Sequence, residues 1–228
     1  MRWFGITQLD EVRDSKLIYN INKKIDLLLK SRGFKGIEEI DLVSSKIRGA
    51  EFRTGYSETI DILILDDQRI FISELMLKEP DLLLFAFLHA LFKYAGIPHD
   101  IINELMILIC DEWLKSYPEN VGALYYKGLS FSNQERYKEA LENYSMVTKI
   151  NPKITNTWFQ RGYALCELGQ YREALTCFDK VLKFNPKHVQ AWYYKAFGLY
   201  EIGDYQGAIR CFKHAIKHEN MKAEEGTL

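Results

Sequence analysis

The sequence predicts a mostly α-helical protein, in which an array of three helix pairs over residues 118–228 follows a small α+β domain over residues 1–117. Three observations carry this. Prolines fall at 118, 152 and 186, each 34 residues from the last. Aromatic and small residues recur on the same ruler: Trp158 with Trp192, Gly128 with Gly162, Tyr137 with Tyr171 and Tyr205, and Ala140 with Ala174 and Ala208. Upstream of Pro118 the apolar pattern changes from helical spacing to short alternating runs and back.

A period of 34 with large–small–aromatic–small–aromatic–Pro spacing is a signature of helix–turn–helix repeats. Tyr144, Phe178 and Phe212 continue the series, as do Val147, Val181 and Ala215. On these residues 121–220 resemble three tandem tetratricopeptide (TPR) repeats, which implies a right-handed α-solenoid of antiparallel helices. Within each copy two amphipathic helices flank a short break. Gly169 and Gly203 suit the left-handed residue that closes a first helix. Gly162 and Ala174, or Ala196 and Ala208, let paired helices approach, while Trp158, Phe178, Trp192 and Phe212 fill the remaining space. Pro152 and Pro186 end second helices, because proline cannot continue a helix interior. The first copy departs from the pattern, with Glu135 at the turn glycine and Leu124 at the Trp position; the third ends on Asn220 where proline is expected.

The N-terminal part reads in order as one helix over 15–31, strands at 37–43, 47–52, 59–65 and 69–73, and helices from Pro80 to Tyr94 and from Asp100 to Ser116. Gly33 and Gly36 end the first helix, the Asp66–Gln68 break predicts a tight connection, and Gly96 and Pro98 separate the last two helices.

The totals bound the function. A chain of 228 residues with 47% hydrophobic content has enough apolar material for a sizeable core. The net charge of −1, with 15 basic and 19 acidic residues before Pro118 and 15 and 12 from it onward, makes neither part a basic module. Neither nucleic acid nor an anionic membrane is expected as a partner. Cys110, Cys166, Cys177 and Cys211 show no metal-binding spacing. The opening residues lack the apolar core of a signal peptide, and the run from Leu82 to Phe92 is too short to span a bilayer. A cytoplasmic protein is expected.

Two constellations could carry chemistry. His89, after an apolar run on a predicted helix, resembles the zinc helix of HExxH metallopeptidases. That chemistry needs a glutamate beside the histidine and a second histidine one turn on. Ala90 and Lys93 stand at those positions, so the resemblance implies a degenerate, non-catalytic relative, with His89 a core histidine and Lys93 exposed. His99, Glu104, Asp111 and Glu112 are the remaining candidate ligands. Asp61, Asp66, Asp67 and Glu74 form an acidic set whose ordinary place is strand ends and turns. No phosphate loop and no nucleophile elbow occurs. No cofactor, metal or catalytic residue is expected; the rival reading is a metal-dependent hydrolase seated in the N-terminal domain.

Protein–protein interaction, as a scaffold or assembly adaptor, is the expected function. The TPR resemblance implies that first helices line a groove, here through Tyr125, Tyr126, Leu129, Asn156, Phe159, Gln160, Tyr163, Gln190, Tyr193, Tyr194, Phe197 and Tyr200, with Glu167 and Glu201 at one edge. The family's clamp for acidic chaperone tails places Lys and Asn in the first repeat; Tyr125 and Leu129 replace them. The groove is therefore an aromatic wall suited to a peptide or helix. Lys127, Arg161 and Lys195 recur where the family usually has leucine. Such cations either lay their stems on apolar neighbours or face an acidic partner. Finally, the short polar tail after Lys217 should leave Leu199, Ile202, Ile209, Phe212 and Ile216 exposed, a surface for self-association as a homodimer.

Overall fold

A computed structural model describes residues 15–33, 51–55, 62–66, 69–73 and 80–225. Helices α1 (Ser15–Ser31), α2 (Pro80–Tyr94) and α3 (His99–Ser116) and strands β1 (Glu51–Gly55), β2 (Ile62–Asp66) and β3 (Arg69–Ser73) precede the repeats. The repeats comprise α4 (Val121–Asn133) with α5 (Tyr137–Ile150), α6 (Thr155–Glu167) with α7 (Tyr171–Phe184), and α8 (Val189–Glu201) with α9 (Tyr205–Glu225). The chain divides into two compact units, residues 1–130 and 131–228. The division falls inside α4, thirteen-residue partner of α6 and α8 by sequence.

In the first unit, β3 lies between its neighbours, parallel to β1 and antiparallel to β2. Ile62, Leu63 and Ile64 pair with Ile72, Phe71 and Ile70, and the register shifts before Asp66 meets Arg69. The expected strand over 37–43 and the expected tight connection at 67–68 lie outside the described residues. The strand expected over 47–52 is found over 51–55 among the described residues. Helix α1 buries Ile21, Ile25 and Leu29, one face at helical spacing. It packs on α3, which buries Ile101, Ile102, Leu105, Met106 and Ile109. Two ionic ties fix that pairing. Arg32 donates both ways to the Glu104 carboxylate at 2.6 and 2.7 Å, and buried Glu112 accepts from Lys24 on α1 and from Lys115. Those two ammonium groups, Lys115 foremost, hold the Glu112 carboxyl below its ordinary range against the cost of its burial.

The second unit shows why a 34-residue period folds as it does. Gly169 and Gly203 hold left-handed φ of 71° and 86°, and Glu135, one period earlier, is forced to 60°. Each turn closes with the same pair of bonds: Gly169 N–H to Cys166 O and Gln170 N–H to Leu165 O, Gly203 to Tyr200 and Asp204 to Leu199, Glu135 to Ser132 and Arg136 to Phe131. This is the glycine-terminated helix cap, in which two carbonyls of the last turn are satisfied by the residues that follow it. The tryptophans have an equally repeated role. Trp158 Nε1–H donates to Pro152 O and Trp192 Nε1–H to Pro186 O, both at 2.8 Å. The indole thus pins the proline turn onto the helix that follows it. Leu124 has no such donor.

Close approach is enforced at Gly162. A Cβ there would meet Phe178 Cε1 at 2.7 Å and Cys177 Cβ at 3.1 Å, so glycine lets the Phe178 ring lie directly against α6. Ala174, Phe178, Val181 and Ala191 form the middle of the core with Leu165 and Cys177. The polar tail after Lys217 extends α9 to Glu225, making it a 21-residue helix where α5 and α7 have 14.

Candidate functional site

In the second unit α6 and α8 are the helices that carry the predicted lining, and the structure sorts it into two kinds. Phe159 and Tyr194 are half-buried and pack between helices. Phe159 stacks on His188 at 5.1 Å, meets Tyr194 edge-on at 5.7 Å, and lies 6.1 Å from Phe178. Tyr194 in turn stacks on Phe178 at 6.0 Å. Tyr193 leans on Phe212 and donates its hydroxyl to Glu219 at 2.8 Å, and that bond raises its phenol above the ordinary range. These three rings cement the array. Asn156, Gln160 and Tyr163 are half-buried, while Gln190, Phe197 and Tyr200 are exposed.

Tyr125 and Tyr126 belong to the first unit and are buried. Tyr126 stacks on Phe85 at 6.4 Å and Tyr125 meets Tyr126 edge-on at 5.2 Å. Rings consumed by packing offer no face to a ligand, so the wall narrows to α6 and α8. Leu129 is half-buried. Repeat position alone could not separate open from packed rings. The partner of each ring does: Phe178 and His188, from the helix and turn that follow α6, close over Phe159.

A chain of edge-on rings runs along this face: Tyr137 to Tyr163 at 6.1 Å and Tyr163 to Tyr194 at 5.4 Å. Burial, then a hydrogen bond with Tyr137, pushes the Tyr163 phenol well above its ordinary range, and the nearby Glu167 carboxylate adds to it. Tyr171 is raised by burial first and by Glu201 next. Glu167 and Glu201 therefore stand beside tyrosines at the ends of α6 and α8, and both are exposed.

The cations at the repeated leucine position turn inward. Lys127 pairs with Asp111 and Lys195 with Asp179, each at 2.6 Å and each across to the preceding helix. Arg161 lies over the Trp158 ring at 5.6 Å, and its Nε is buried without a hydrogen-bond acceptor among the described residues. The acceptor position one period before Asp179 and one after Asp111 is Ser145. Two of the three cations are thus satisfied within the chain, by carboxylates of the preceding helix, and the third lies on an aromatic neighbour.

The alternative of a metal site gains no support. His89 is half-buried on α2 with its ring 6.5 Å from that of His99, Ala90 is buried, and Lys93 is exposed. Glu104, Asp111 and Glu112 are engaged by Arg32, Lys127 and Lys24 with Lys115. Among the described residues no group of three His, Cys, Asp or Glu side chains could hold a metal ion. Asp61, Asp67 and Glu74 lie outside the described residues. All four cysteines are free and buried; burial pushes the Cys166 thiol up to about 12, so it is an inert core group. Among the described residues no helix is long and apolar enough to cross a membrane.

Models of the tetratricopeptide repeat match residues 122–153, 155–188 and 189–220 in tandem. Residues 122–220 are three tetratricopeptide repeats. Solved structures of MamA share the TPR architecture. One designated AMB-1 is 26% identical, with 60% of this chain and 77% of that chain covered at a TM-score of 0.52. One designated MSR-1 is 23% identical, with 60% and 76% covered at 0.52. MamA 41-end from Desulfovibrio magneticus RS-1 is 18% identical, with 61% and 76% covered at 0.53. The overlap exceeds the repeats themselves, so it takes in part of the chain before residue 122. No curated protein matches the chain. The TPR region is a protein–protein interaction or scaffold module.

Proposed function

We propose that the chain is an assembly adaptor that holds an extended peptide or a helix of a partner against the open aromatic face of α6 and α8. The observation that carries this reading is the pair Phe197 and Tyr200, large rings left exposed one helical turn apart while their neighbours Phe159 and Tyr194 are spent on packing. Rigid rings offer contact area at low entropy cost, and Asn156, Gln160 and Gln190 supply donors and acceptors beside them. Four free, buried cysteines support a cytoplasmic setting. The test is capture of partners from the native source by the intact chain. Phe197→Ser with Tyr200→Ser should abolish capture, and Phe184→Ser, at an exposed ring on α7, should leave it intact. Equal capture by all three would overturn the reading.

A second surface supports self-association. Ile202, Ile209, Phe212 and Ile216 are exposed on the last repeat, and Leu199 is half-buried. The residues one period earlier are covered, since Phe178 and Leu182 are buried and Leu175 lies against Gly198 of α8. We assign this face to a second copy, because like ends can meet across a two-fold axis. Sedimentation across a concentration range should show a dimer that Phe212→Glu dissociates; a monomer throughout would contradict it.

A further inference from the structure

The first helices of the second and third repeats carry two charges each. Helix α6 has Arg161 and Glu167; α8 has Lys195 and Glu201. The cations face away from the open wall: Lys195 is bound to Asp179 and Arg161 is laid on Trp158. Only the carboxylates remain toward it, both exposed and both beside tyrosines.

At the end of α8 this asymmetry meets a cluster of open rings. Phe197, Tyr200 and Tyr205 are 41%, 56% and 59% exposed. Phe197 meets Tyr171 edge-on at 5.9 Å, and Tyr200 meets Tyr205 at 5.4 Å. Glu201 lies one turn beyond Phe197 on the same helix face, and its charge, after burial, raises the Tyr171 phenol. The neighbouring Asp204 carboxylate is occupied, accepting from Gly207 N–H at 2.8 Å. A carboxylate set among ring faces is a receptor for an alkylammonium or guanidinium group. The rings attract the cation through their quadrupoles and cover its aliphatic stem, and the carboxylate takes its N–H donors.

We infer that the aromatic wall is selective for cationic peptide segments, with a lysine or arginine side chain seated among Phe197, Tyr200, Tyr205 and Glu201. This rests on the groove reading above and adds the sign of its ligand. Charge complementarity commits it: the open wall carries Glu167 and Glu201 and no cation from α6 or α8.

The test is selection of random twelve-residue peptides, displayed on phage, against the intact protein, followed by anisotropy measurements on the winners. The expected winners are enriched in Lys and Arg. Glu201→Gln should weaken their binding by on the order of tenfold, and Glu201→Lys should abolish it. Raised salt should weaken it as well. Because Glu201 is exposed, these variants should keep the wild-type melting temperature. Winners without Lys or Arg, lost on Phe197→Ser but indifferent to Glu201→Lys, would leave the groove reading standing and overturn the cationic assignment. Winners indifferent to both substitutions, or none at all, would overturn both.

Discussion

The second and third repeats follow one sequence rule and one backbone, yet equivalent side chains end in opposite environments. Phe178 is 0% exposed and Phe212, one period later, is 39% exposed. The turn bonds, the left-handed glycines and the Trp-to-proline-carbonyl bonds are the same in both. What differs is that α8 packs on the second pair, while among the described residues no helix packs on the outer face of the third. A repeat therefore fixes its own fold locally, while its neighbour decides how much each aromatic contributes to stability.

The largest expected effect sharpens this contrast. Phe178→Ala should cost about 3–5 kcal/mol, and Phe212→Ala less than about 2 kcal/mol, since less area returns to water. Denaturant melts of the two variants check it; equal losses would mean that the third repeat is covered by something else. Next comes Gly162→Ala. Its methyl group would meet Phe178, whose ring is locked in the core; overpacking of about 1–3 kcal/mol set against a helix-propensity gain of about 1 kcal/mol gives a net loss of up to about 2 kcal/mol. The equivalent Ala196 is native in the third repeat, where the facing Phe212 has room to yield.

Smaller effects belong to the first repeat and its seam. Glu135 occupies a left-handed position costing an L-residue about 1–2 kcal/mol, against the entropy of glycine at about 0.5–1 kcal/mol. Glu135→Gly should therefore stabilise by about 0.5–1 kcal/mol, measured as a rise in melting temperature. Ser145→Asp should supply Arg161 with the partner that Lys127 and Lys195 already have. Its gain should be about 0.3–1 kcal/mol and should shrink as salt is raised. A loss of stability in that variant would show that Arg161 does not face α5.

Much of this was legible in the sequence because a repeat states its contacts several times over. The 34-residue period located the six repeat helices and the turn glycines, as each had an independent copy to confirm it; it matched Gly162 with Ala174, whereas the side chains that lie against Gly162 are Phe178 and Cys177. The wall was legible only in part. Position in the repeat named Phe159, Tyr193 and Tyr194 together with Phe197 and Tyr200, but the first three are closed by His188, Glu219 and Phe178, residues distant in sequence from them. Tyr125 and Tyr126 were misplaced for the same reason, since the ring that stacks on Tyr126 is Phe85, on an upstream helix outside the periodic pattern. The cation series was visible as a regularity, and its meaning needed Asp111 and Asp179, sixteen residues upstream of their partners.

The most direct test of the central claim is to map the amide chemical-shift changes when a selected peptide is added to the intact, isotopically labelled protein. Changes should concentrate on residues 156–167 and 189–201 and include Gln160, Tyr163, Gln190, Phe197 and Tyr200. Changes confined to the second helices of the repeats, around Phe184 or Ile209, or to residues before 131, would contradict it.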